Sequence, residues 1–198
     1  MLLDSNTPFV AKEINDFLFN RINGVSYREN KDIQISELAY IPLLHYGFDK
    51  KVHKGEIICN KHISEKVIGV FKTLYNKRYQ IESIKLIDDF NANDDASMKA
   101  NNTSSFNYRN ITSGNRLSYH ALGLAIDINP LYNPYVKYTN GGKIVLPKES
   151  EPFVDRAKRF AHKITLKDSA YAVFKEYGFS WGGEWDTLKD YQHFEIKL

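Results

Sequence analysis

The clearest periodicity in the chain lies between residues 62 and 77, HISEKVIGVFKTLYNK, where Ile63, Val67, Val70, Phe71 and Leu74 recur at three- and four-residue steps. That spacing gathers the apolar side chains on one face of a helix, and Ser64 is placed to cap its start. A shorter helix is predicted over 8–22 from Val10, Ile14, Phe17, Leu18 and Ile22, and another over 166–177, LKDSAYAVFKEY, ending before Gly178. Extended segments are expected at ISELAYIPLLHY, GEIICN and IESIKLI, and at the C-terminal YQHFEIKL. The polar stretch 88–105, rich in Asn, Asp and Ser, reads as loop. GLAIDIN, residues 123–129, reads as a central strand with Leu124, Ile126 and Ile128 on one face and Ala125 and Asp127 on the other. After it, NPLYNPYVKYTNGGK carries two Asn-Pro pairs and a Gly-Gly, so irregular backbone is expected there. Helices and strands do not alternate as repeated βαβ units, which predicts an α+β fold around a mainly antiparallel central sheet flanked by helices.

Length and composition narrow the picture. At 198 residues, 42% hydrophobic and 14% aromatic, the chain is expected to form one domain with a substantial core, 1–80 packing against 81–198. Its 27 basic and 24 acidic residues are interspersed and sum to +3, which is far from a nucleic-acid footprint. The lone Cys59 precludes an intramolecular disulfide and reads as a small buried hydrophobe. No run approaches the ~18 apolar residues of a membrane span, and the first 16 residues lack the basic start and apolar stretch of a secretory signal. His45, His53, His62 and His162 have no ligand-like neighbourhood and are expected at the surface or its boundary. A monomer is expected.

The chemistry concentrates at His120, Asp127 and His193. Buried in small apolar surroundings, His120 and Asp127 are either a hydrogen-bonded structural pair or part of a cation site. A catalytic zinc needs three protein ligands drawn from imidazole and carboxylate, plus a position left for water, and His193 supplies the third. Gly123 lets the backbone turn back between His120 and Asp127. Zinc lowers the pKa of a bound water to about 7, Asp190 is placed to take its proton, and Arg109 or Arg116 could stabilise an oxyanion by ~3 kcal/mol. A serine triad of Ser118, His120 and Asp127 is disfavoured, because the serine lies two residues from its base and no G-x-S-x-G elbow is present.

Two motifs carry a resemblance. SYHALGLAID fits S-x-H-x-x-G-x-A-x-D, and WGGEWDTLKDYQHFE fits W-G-G-[DE]-W followed by D-x-x-H-F. Together they resemble the zinc peptidases of bacterial cell walls, the D-alanyl-D-alanine carboxypeptidases and L-alanyl-D-glutamate endopeptidases of the hedgehog/DD-peptidase fold. The resemblance covers roughly residues 80 to 198. It implies one catalytic zinc held by His120, Asp127 and His193, with Asp190 as general base where many members have glutamate. SFNYR is similar to the segment supplying the family's substrate-facing arginine, which favours Arg109 over Arg116. Ser118 would contact substrate or support a ligand. Trp181 and Trp185 are either core aromatics or cleft lining, and Glu184 or Glu195 could orient a ligand histidine.

The expected substrate is the stem peptide of peptidoglycan, outside the membrane, reached by export or release on lysis. Carboxypeptidase and endopeptidase remain open, with WGGEW on the endopeptidase side. The competing class is a catalytically inactive zinc-containing module of the same fold that binds the wall or a protein.

Overall fold

The computed structural model describes residues 7–111 and 116–198. Helix α1 runs only over Asp16–Ile22, because the Asn15 side chain accepts from the Leu18 N–H at 3.0 Å and starts the helix there. The residues before it, predicted helical, form a turn at Pro8–Phe9, with Phe9 at φ 60, and then run alongside β-strand backbone: Phe9 N–H donates to Pro42 at 2.7 Å, and Lys12 exchanges backbone hydrogen bonds with Tyr40. Leu18 and Ile22 point inward, whereas Phe17 stays 76% exposed.

The two predicted extended segments form strands β1, Leu38–Tyr46, and β2, Val52–Asn60, joined as an antiparallel hairpin in register from Leu38↔Asn60 to Tyr46↔Val52. Helix α2, Ser64–Asn76, buries Val67, Val70, Phe71 and Leu74, as its periodicity predicts. Ser64 does not cap it. Ile63 occupies the cap position, while the Ser64 hydroxyl donates to the Lys61 carbonyl and closes the 3₁₀ turn over Lys61–Ile63.

Of IESIKLI, only β3, Ser83–Ile84, is strand, since the backbone tightens into a 3₁₀ turn at Ile87–Phe90. The stretch 88–105 is not loop throughout. It contains helix α3, Asp94–Lys99, whose cap is Asn93, and strand β4, Asn102–Thr103, parallel to β3. The Asn and Asp residues that suggested a loop are helix-starting residues as well, and Asn93 uses its side chain on the Ala96 N–H at 3.0 Å.

Strand β5 covers Ala125–Asp127. The Asn-Pro segment after it is irregular as far as Pro134. From there the chain forms a hairpin that the sequence reading missed, β6, Tyr135–Thr139, against β7, Gly142–Leu146, with Asn140 and Gly141 as its two-residue turn. Helix α4, Ser169–Glu176, is capped by Asp168 and followed by Gly178 at φ 88. The chain ends with β8, Ser180–Trp181, β9, Lys189–Asp190, and β10, His193–Glu195.

The fold is α+β with mainly antiparallel pairing, distributed among the described residues over four small sheets: β1-β2, β5-β10-β8, β3-β4 and β7-β6-β9. Strand β5 is therefore not central. The middle position belongs to β10, and the outer side of β5 meets Ser104 through a two-hydrogen-bond bridge at Asp127. A single apolar cluster includes Ile41 and Ile57 of the hairpin, Phe71 of α2, Ile126 of β5, Phe174 of α4 and Phe194 of β10. Cys59 lies in it, and burial pushes its thiol pKa up. His45 is buried rather than at the boundary: its Nδ1 bonds the Ile81 carbonyl at 2.9 Å, and desolvation lowers its pKa.

Candidate metal centre

Strands β5 and β10 run antiparallel with Asp127 opposite His193 and Ile126 opposite Phe194. Alternation along each strand sends Ile126 and Phe194 into the core and Asp127 and His193 to the other face. His120 joins them from the 3₁₀ turn Tyr119–Leu122, where the Ser118 hydroxyl accepts from the His120 N–H at 3.2 Å. Ser118 thus builds the turn that presents the histidine. The turn ends at Gly123, at φ 65, and a Cβ there would lie 2.5 Å from the backbone nitrogen of Asn60. Glycine is required twice, for the conformation and for the approach to β2, whose Asn60 N–H donates to the Gly123 carbonyl at 2.9 Å.

Three donor atoms converge. His120 Nε2 is 3.2 Å from His193 Nδ1 and 3.3 Å from Asp127 Oδ1, and His193 Nδ1 is 3.1 Å from Asp127 Oδ1. Both imidazoles are buried. The far nitrogens fix which ring atoms are free: His120 Nδ1 faces the Ser105 carbonyl at 2.6 Å, and His193 Nε2 faces the Glu195 carboxylate at 3.1 Å. Carbonyl and carboxylate oxygens only accept, so those nitrogens carry the protons and the inner nitrogens of the neutral rings present lone pairs.

Three lone pairs aimed at one another repel unless a positive charge lies among them. Burial alone would raise the Asp127 pKa, but His120 and His193 outweigh it and hold the carboxylate well below its usual range. Burial alone would lower that of His193, but Asp127 and Glu195 outweigh it and carry it up to about 10, so unless a metal ion supplies the positive charge, a proton on His193 Nδ1 does, and the neutral ring with its lone pair is the form that would meet an ion. Two imidazoles and one carboxylate, each far nitrogen tied to an acceptor, make a donor set that fits a divalent transition ion.

Asp190 stands on β9, opposite Tyr135 of β6. Its Oδ1 is buried and has no hydrogen-bond partner among the described residues. Burial, with Asp127 adding to it against the pull of His193, pushes its pKa up to about 6. Gly182 makes this placement possible, for a Cβ there would sit 2.6 Å from the Asp190 carbonyl oxygen and 2.9 Å from its Cβ.

The other residues singled out from the sequence are spread more widely. Arg109 forms an ion pair with Asp94 at the start of α3, and Asp94 also accepts from Asn107 at 3.0 Å. The segment 107–109 runs alongside 118–120, since Asn107 N–H donates to the His120 carbonyl and Ser118 N–H to that of Arg109. Arg116 is exposed, and residues 112–115, including the Asn115 that precedes it, lie outside the described residues. Trp181 is core and lines no cleft: it is 4% exposed, and its indole N–H donates to the Tyr191 carbonyl at 2.9 Å. Trp185 lies against the site, its ring 5.3 Å from that of His193. Glu184 is turned outward by the 3₁₀ turn Gly182–Glu184 and binds Tyr171 and Lys175 at the surface, away from either histidine. Sequence reasoning missed the Ser105 carbonyl and Asp94. A backbone oxygen carries no side-chain signal, and Asp94 resembles any other acid in a polar stretch.

Residues 112–196 match a family model described as D-alanyl-D-alanine carboxypeptidase. Over these residues the chain is similar to that peptidase family. The match includes His120, Asp127, His193 and Asp190, and begins after Arg109, so it bears out the resemblance over a shorter span than the sequence suggested. No solved structure matches the chain. Among the described residues, no helix is long and apolar enough to cross a membrane.

Proposed function

We propose that this protein is a zinc peptidase that hydrolyses amide bonds in the stem peptides of peptidoglycan. The observation that carries the reading is the convergence of His120 Nε2, Asp127 Oδ1 and His193 Nδ1 within 3.3 Å of one another, on a segment that matches a peptidase family model. Those three atoms would hold the ion. Zinc, when bound in such a donor set, acts as a Lewis acid and brings the pKa of a water near 7.

The chain's own residues do the rest. Asp190, with a buried oxygen that has no hydrogen-bond partner among the described residues, accepts a proton from the attacking water and passes it to the leaving amine. A pKa lifted by burial suits this shuttle, because a carboxylate at its ordinary value holds a proton too weakly to deliver it near neutrality. Arg109 supplies positive charge for the oxyanion on the carbonyl under attack, and Asp94 holds its guanidinium in place. Trp185 shields the His193 side from water. Residues 1–80 act as one folding unit with the rest through the shared apolar cluster, and the protein works as a monomer outside the membrane, on the wall.

The experiment is digestion of purified muropeptides followed by mass spectrometry. Chelation should abolish release of new termini, zinc should restore it, and Asp190→Asn should retain metal while turnover falls 10²- to 10⁴-fold. Loss of a terminal D-alanine assigns a carboxypeptidase, and a cut between L-alanine and D-glutamate assigns an endopeptidase. Tight wall binding with no new termini over long incubation would instead show an inactive binding module.

A further inference from the structure

The two imidazoles of the cluster are supported unequally. His120 gives its Nδ1 proton to a neutral acceptor, the Ser105 carbonyl, whereas His193 gives its Nε2 proton to a charged one, the Glu195 carboxylate. Glu195 stands two residues beyond His193 on β10, so the strand presents both on the face that carries Asp127. Across the pair, Glu195 is opposite Ala125, and its carboxylate reaches back along its own strand to the imidazole. The Glu195 side chain is 14% exposed, which places its charge in surroundings where it acts strongly on its neighbour.

We propose that Glu195 is a positioning residue for the ion, acting through His193. By taking the Nε2 proton it selects the tautomer with a lone pair on Nδ1, keeps that nitrogen aimed at Asp127 and His120, and raises its basicity. Its charge joins that of Asp127, so two carboxylates balance a buried divalent cation. The inference rests on the ligand assignment proposed above, and its test separates the two.

The full chain is stripped of metal and titrated with zinc in competition with a chromophoric chelator. Glu195→Ala is expected to weaken zinc binding 10- to 100-fold, and Glu195→Gln, which keeps an acceptor but loses the charge, to fall between it and wild type. The visible absorption of the cobalt-loaded protein gives a readout that a merely structural role leaves unmoved, and it should shift in Glu195→Ala as the His193 ring is freed. Zinc affinity and cobalt spectrum both equal to wild type in Glu195→Ala overturn the role of Glu195 and leave the ligands standing. If Glu195→Ala does not fold, Glu195→Gln decides: weakened binding supports the proposal and wild-type affinity overturns it. Absence of zinc binding by the wild-type chain overturns the ligand assignment itself.

Discussion

The hairpin of β1 and β2 with α2, and the sheet of β5, β10 and β8, are built on opposite economies. The hairpin has two strands of nine residues in continuous register, and α2 adds thirteen residues with a full apolar face. The sheet has strands of three, three and two residues, too short to be stable alone, yet it carries two of the three converging donor atoms. Both feed one apolar cluster, the first through Ile41, Ile57 and Phe71, the second through Ile126 and Phe194. Long elements supply burial. Short ones borrow that support through alternate residues and spend the other face on chemistry, which is how Ala125–Asp127 and His193–Glu195 serve as core and site at once.

Substitutions at the two ends of this contrast should separate activity from stability. The largest effect is expected from His193→Ala or His120→Ala, which should bring muropeptide hydrolysis below detection, because each removes one of three donors. Circular dichroism of α2 and the hairpin should persist, and a global loss of structure would show that the two regions are not separable in this way. Next comes Phe71→Ala in α2, expected to cost 3–5 kcal/mol in urea unfolding, as for other fully buried aromatics, while turnover per folded molecule stays at the wild-type level. A fall in turnover there would mean that the hairpin side sets the geometry of the site.

Smaller again is Arg21→Ala. Arg21 makes a two-pronged contact with Glu56 of β2, at 2.9 and 2.6 Å, and reaches Asp89 at 2.7 Å, but is partly exposed, so about 1 kcal/mol of stability is expected from the same unfolding measurement. Least of all is Glu184→Gln. Despite its place inside WGGEW it binds Tyr171 and Lys175 at the surface, and the change should alter hydrolysis not at all and stability by less than ~0.5 kcal/mol.

Legibility followed the range of the forces involved. Helix α2 and the alternation of GLAIDIN could be read directly, because burial of one face leaves a periodic trace over a few residues. The residues that converge could be read from two motifs, since a donor set able to hold an ion needs particular atoms at particular spacings. The shortened α1, the helix within 88–105 and the hairpin after Pro134 could not. In each the same polar residues serve as caps, turns or loops, and the choice depends on what packs alongside. Trp181 and Trp185 make the point within five residues: one indole is sealed in the core and the other lies against His193.

By itself, then, the sequence determined an α+β chain whose motifs resemble a peptidase family and single out His120, Asp127, His193 and Asp190, because residue type and spacing are local properties. Only the tertiary structure decided that β10 rather than β5 is the middle strand, that Arg109 is paired with Asp94, and that Glu195 rather than Glu184 meets a histidine. Those outcomes depend on which strand pairs with which and on the face each side chain is given, and contacts between distant parts of a chain leave no mark at any single position.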